Sequence, residues 1–192
     1  MRSSRLGALG IVAIVWVPSC ASTDDGSRST YLHPGADMAT VQTVAVLPLE
    51  NYTTDRFAPE RVREVLVVEL LASGAFQVVD SGEVTRVLMQ RGIQRVNGLG
   101  PEALRQLGQD LQAQAVFMGS VMDYREKRTG TMNAPEVALS LRLLDAETGT
   151  VVWSVSDART GLSWWARLFG MGEESLTRAI QQLVRDVLPT MF

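Results

Sequence analysis

The chain has one cysteine, Cys20, so no disulfide can close within it, and one histidine, His33. It lacks G-x-S-x-G and H-E-x-x-H, and no second cysteine is present to complete a thiol pair or a metal site. A general base needs a held position with a nucleophile in reach. His33 sits beside Pro34 in a Ser-, Thr-, Gly- and Asp-rich stretch that supplies neither. Adjacent carboxylates occur at Asp24-Asp25, in the same polar stretch, and at Glu173-Glu174, which suits the positive end of a helix N-terminus. Catalysis, a metal, a cofactor and a small-molecule substrate are therefore not expected. Basic runs are missing too. With 18 Lys and Arg against 21 Asp and Glu, the chain has no electrostatic footprint for nucleic acid. The apolar stretch Leu6 to Val17 is about 12 residues, against roughly 20 for a membrane-spanning helix, so a permanent span is not expected.

What is present begins at the N-terminus. Arg2 and Arg5 form a basic start, Leu6 to Val17 an uncharged apolar core, and Pro18-Ser19-Cys20 a small-residue end, the three parts of a secretory signal. Val17-Pro18-Ser19-Cys20 also resembles the lipobox of bacterial lipoproteins, with Pro18 departing from the pattern at its middle position. The resemblance implies cleavage between Ser19 and Cys20 and acylation of Cys20, which would remove the lone thiol. Ala21-Ser22, with no Asp after the cysteine, implies sorting to the outer membrane. Removing residues 1–19 takes away two arginines and no acid, and shifts the formal net charge from −3 to −5. With no polybasic patch, attachment to a membrane rests on the acyl chains.

Residues 20–40 show no apolar period and read as the lipidated cysteine followed by a flexible tether. About 20 such residues reach roughly 70 Å when fully stretched and span roughly 25 Å as a coil. Residues 41–192 read as one periplasmic α/β domain. Thr43 to Leu49 is a short, nearly unbroken apolar run, as in a strand buried on both faces. Pro59 to Ser73 carries Val62, Val65, Leu66 and Leu70 at helical spacing, with Gly74 as its stop. Phe76 to Val79 is a second strand. Ser81 reads as the cap of a helix with Val84, Val87 and Leu88 inward and Gly92 ending it. Pro101 opens another, with Leu104, Leu107 and Leu111 inward.

Ala115 to Val121 is again apolar. Val137, Leu139, Leu141 and Leu143 then alternate with Ala138, Ser140, Arg142 and Leu144, and the turn Asp145 to Gly149 leads into a returning strand, Thr150 to Ser156. A last helix, from about Glu173 to Leu188, turns Leu176, Ile180, Leu183, Val184 and Val187 inward. This order predicts a three-layer-like α/β domain with a mixed sheet of about five strands flanked by about four helices. Gly98-Leu99-Gly100-Pro101-Glu102-Ala103 fits a phosphate-loop spacing, but the segment before it is polar and follows a helix, so it reads as a loop. Trp153 reads as core, and Arg125 to Arg128 as a solvated hairpin tip.

Four segments in this order, Val44 to Asn51, Phe76 to Arg91, Ala113 to Val121 and Leu141 to Trp153, resemble the CsgG and LpoB group of outer-membrane lipoproteins. The body of that group is similar to the N-terminal domain of TolB. The resemblance implies this fold and an envelope address. It departs from the CsgG pattern in one respect: two long hairpins build the CsgG barrel, and a membrane hairpin needs about 20 residues. The inserts at Arg125 to Pro135 and Gly161 to Gly172 are shorter. The segment Ser163 to Gly172 holds Trp164, Trp165, Leu168 and Phe169, residue types found at protein interfaces and at membrane surfaces; core packing, a partner surface and a membrane contact all fit it. The expectation is a lipid-anchored, non-catalytic binding or scaffold protein of envelope assembly, serving a secretion apparatus or peptidoglycan machinery, facing the periplasm from the outer membrane. A CsgG-like homo-oligomer in an export channel is the alternative.

Overall fold

The computed structural model describes residues 28–129, 132–160 and 175–192. Seven strands and four α-helices lie within them: β1 (Ser29–Leu32), β2 (Thr43–Val46), β3 (Glu50–Asn51), α1 (Ala58–Ser73), β4 (Gln77–Val78), α2 (Ser81–Gln90), α3 (Pro101–Leu111), β5 (Ala115–Thr129), β6 (Met132–Asp145), β7 (Val151–Thr160) and α4 (Leu176–Val187). The sheet runs β1-β7-β6-β5-β2-β4, with β3 pairing β5. β2 lies parallel to β4 and β5, whereas β5, β6, β7 and β1 are antiparallel in turn. The mixed sheet follows from the connections: helices carry the chain between the parallel strands, and a turn joins β6 to β7.

Helix boundaries follow the punctuation of the sequence. Pro59 sits in the first turn of α1, and Gly74 closes it in the left-handed region (φ 66°), where a side chain is costly. Pro101 opens α3. The cap of α2 is Asp80 rather than Ser81; its carboxylate accepts from the amides of Gly82 and Glu83 at 2.8 and 3.2 Å. Ser175 caps α4 by accepting from the amide of Arg178.

Two cores form on the two faces of the sheet. On one side α1 and α4 cover Phe117, Val121, Leu139, Leu141, Leu143, Trp153 and Val155, all at most 3% exposed. Trp153 is fully buried, meets Phe117 edge-on at 6.2 Å between centroids, and donates its indole N–H to Thr190 Oγ1 at 3.0 Å. On the other side α2 and α3 bury Ala45, Leu47, Val116, Met118 and Leu144. Leu144, expected on the outward side of β6, thus has a second core to enter. Truncating one such buried leucine to alanine typically costs about 2–5 kcal/mol.

The sequence reading needs two corrections. Residues 28–40 are not tether: Ser29 to Leu32 pair antiparallel with Ser156 to Trp153, His33 donates its amide to Val152 at 2.9 Å, and Met38 packs into the core. All four residues of β1 are exposed, so this edge strand carries no apolar period. Arg125 to Arg128, although exposed, are a continuation of β5 rather than a loop; they pair with Glu136 to Asn133. A register shift between Val121 and Asp123 turns the ribbon, and Arg125 holds it with ion pairs to Asp123 (3.1 Å) and Glu136 (2.8 Å).

Candidate functional site

The carboxyl end of β2 is the point where the chain changes direction across the sheet. From β2, α1 leads to β4 on one side; from β4, α2 and α3 lead to β5 on the other. In α/β sheets such a switch leaves a crevice just beyond the strand ends. Here Pro48 interrupts the ladder after Leu47 has donated its amide to Phe117 O at 2.9 Å. The chain then rejoins β5 as β3, and Tyr52 N–H bonds Val121 O at 2.9 Å.

Glu50 organises this crevice. Its Oε2 accepts from the Tyr52 hydroxyl and from Asn97 Nδ2, both at 2.8 Å, and so ties β3 to the loop between α2 and α3. The hydrogen bond to Glu50, reinforced by its negative charge, raises the Tyr52 phenol above its ordinary pKa and keeps it protonated. The Glu50–Tyr52–Asn97 bridge divides two clefts. One, of about 600 Å³, lies against Pro48, Leu88, Ile93 and Arg95. The other, of about 290 Å³, has Met118, Ser120, Ser140 and Arg142 on its floor, where the sheet runs on past the α2–α3 layer.

Beside the bridge, the loop into α1 presents exposed aromatics. Asp55 accepts from the Phe57 amide at 2.8 Å and pairs with Arg61 at 3.0 Å, which fixes the turn. Phe57 is 51% exposed, with the Arg56 guanidinium 4.4 Å from its ring centroid; Tyr52 and Met122 are also exposed. Tyr, Phe, Met and Arg are the residue types enriched where proteins dock. The clefts thus hold fixed donors and acceptors, with Tyr52, Arg95 and Arg142 in their lining.

Cys20, Ser19, Trp164, Trp165, Leu168 and Phe169 lie outside the described residues. His33 is held against β7, its Nδ1 accepts from the Gly35 amide at 3.1 Å, and it does not line either cleft beside Glu50. Gly98 and Gly100 belong to a loop, as expected, with Gly98 in the left-handed region. Sequence reasoning did not single out Tyr52, Phe57, Asn97, Ser120 or Ser140 as site residues. The usable signal was at Arg142 and Ser140, which alternate with buried leucines and so must face the other side of the sheet.

The fold defines a class: a single three-layer α/β body with a polar cleft at its switch point. The chain belongs to the LpoB family of peptidoglycan-synthase activators, whose family model matches residues 21–158. The CsgG half of the resemblance receives no such support. Among solved structures, the chain is similar to a PelC dodecamer from Paraburkholderia phytofirmans (22% identity, 85% of this chain and 96% of that one, TM-score 0.58). It is also similar to the lipoprotein GNA1162 from Neisseria meningitidis (19% identity, 78% and 97%, TM-score 0.57). At these identities the likeness is one of fold. No functionally curated protein matches the chain.

Proposed function

We propose that this protein is a lipid-anchored activator that binds a peptidoglycan synthase on the periplasmic side of the outer membrane and performs no catalysis itself. The observation that carries the proposal is the family match over residues 21–158. The signal-like first 19 residues and Cys20 support the anchor and the compartment. The exposed Tyr52 in a polar cleft, with Phe57 and Met122 also exposed on the surface, supports a protein partner.

Geometry adds a condition. Only residues 21–27 separate Cys20 from the first described residue, Arg28. The eight steps from Cys20 to Arg28 reach at most about 29 Å. A synthase held in another membrane must therefore extend its own domain to the body, whose nearest point lies within that distance of the anchor.

Reconstitution tests the reading. The full acylated chain is added in detergent to a purified bifunctional peptidoglycan synthase of the same envelope, and glycan polymerisation is followed. The rate should rise several-fold, the chain alone should produce no polymer, and Cys20→Ser should lose radiolabelled palmitate. If every synthase of that envelope polymerises at an unchanged rate while the chain is folded, the proposal is overturned.

A further inference from the structure

The smaller cleft has three hydrogen-bond donors on its floor that nothing in the fold uses. Arg142 is exposed and has neither an ion pair nor a hydrogen bond among the described residues. Arg61, Arg86, Arg91, Arg105, Arg125, Arg159 and Arg185, by contrast, each reach a carboxylate. Strand alternation puts Arg142 on this face: Leu141 and Leu143, its neighbours, are fully buried on the other. Ser140 lies two residues along the same side of β6, and Ser120 stands directly across from it on β5. Neither hydroxyl is hydrogen-bonded within the described fold. A guanidinium with two hydroxyls beside it suits a carboxylate, which takes charge-assisted bonds from all three.

Beside Ser120, on the neighbouring strand β3, stands the opposite polarity. Glu50 is fixed there through its Oε2, by Tyr52 and Asn97, and its Oε1 has no hydrogen-bond partner among the described residues. A carboxylate alone would meet repulsion from Glu50; a carboxylate followed by a cationic or amide donor would not. The cleft is thus two-poled along the sheet, with Glu50 on β3 at one end, Ser120 and Ser140 between, and Arg142 on β6 at the other.

We propose that this cleft is a slot for a segment of the protein partner that carries an acidic side chain next to a basic one. The acid sits on Arg142, Ser140 and Ser120, and the basic group points to Glu50. This rests on the reading that the chain works by binding a protein, and it names the chemistry of the partner at one place. The exposed Tyr52 lines the same cleft and extends the contact with apolar area.

The test uses the full chain in detergent and synthetic peptides as probes, read by titration calorimetry. Acetyl-Ala-Glu-Lys-Ala-amide should bind, its Glu→Gln counterpart at least about tenfold more weakly, as expected for the loss of a charged hydrogen-bond set. Arg142→Gln should weaken the first peptide by the same factor and leave the second unchanged, while Arg178→Gln, on the exposed side of α4, should change neither. Equal binding of the two peptides, or none by the first, overturns the proposal. So does binding of free glutamate or of chitotetraose as tightly as the Glu-Lys peptide, since the slot would then serve a small molecule or a glycan. Synthase stimulation separates the two readings: if Arg142→Gln stimulates as well as the native chain, the slot fails and the activator reading stands. If the peptides behave as expected and no synthase responds, the reverse holds.

Discussion

Arg63, on the buried side of α1, donates from Nε and Nη2 to the carbonyl oxygen of Val46, at 3.0 and 2.8 Å. It is 3% exposed, and burial lowers its pKa against the opposing pull of the Glu60 and Asp80 charges. One side chain therefore joins α1 to the last residue of β2, just where the strand breaks at Pro48 and the cleft begins.

Replacing Arg63 with Met keeps much of the volume and removes both donors from the carbonyl. The expected loss is about 2–4 kcal/mol, the scale of a buried charge-assisted pair. Arg63→Lys should fall between the two, since it keeps the charge and loses the fork. Urea unfolding at constant m-value measures both.

Gly119 is a place where two strands approach too closely for a side chain. A Cβ there would lie 2.2 Å from Ser140 O and 3.1 Å from Leu141 Cα, so β5 and β6 would have to part. Gly119→Ala should cost about 1–3 kcal/mol, as overpacking does. Gly98→Ala is the control for backbone strain alone: φ is 84° and no atom lies within 4 Å, so the penalty stays near 1–2 kcal/mol. Crystal or NMR data on Gly119→Ala should show β6 shifted; those on Gly98→Ala should not.

Four carboxylates have pKa values lowered by arginine hydrogen bonds: Glu83 by Arg86, Glu102 by Arg105, Asp110 by Arg91 and Glu136 by Arg125. A lowered folded-state pKa means stability that is present above the unfolded value and lost as pH falls through the folded one. The denaturation midpoint should therefore hold from neutral pH to about 5, then fall on the way to pH 3, below the ordinary carboxylate values. In 1 M salt the drop should shrink, because these pairs are exposed and screened. A midpoint flat from pH 6 to pH 3 would contradict the assignment.

Phe57 separates binding from stability. At 51% exposure, Phe57→Ser should change the unfolding free energy by no more than about 0.5 kcal/mol, the range for surface sites. Its effect on synthase binding should be tenfold or more if the loop into α1 is a docking anchor. Surface plasmon resonance beside a thermal melt decides it.

The legible parts of this fold are those where burial imposes a period. Leu139, Leu141 and Leu143 alternate because α1 and α4 cover one face of β6, and Val84, Val87 and Leu88 recur at helical spacing because α2 has one inner side. β1 was not legible, since an edge strand with both faces open places no demand on hydropathy. The outer length of β5 was hidden for the same reason: Arg125 to Arg128 gain their pairing from backbone and cross-strand charge, not from apolar contacts. The cleft was the least legible. Glu50, Asn97, Ser120 and Arg142 come from four separate segments, and only the return of the chain at the end of β2 assembles them. Arg142 shows in the sequence as a polar residue between leucines; what it faces does not.

β1 has one more consequence, and it concerns concentration. By zipping Ser29 to Leu32 onto β7, it removes slack from the leash, so that an acylated Cys20 would hold the body within about 29 Å of the lipid surface. Confinement to such a shell corresponds to a local concentration in the millimolar range. A partner domain that enters the same shell then meets the cleft at that concentration, so a contact too weak to survive dilution in a test tube is favoured there, and the strand that sets the leash bears on how tight the cleft has to be.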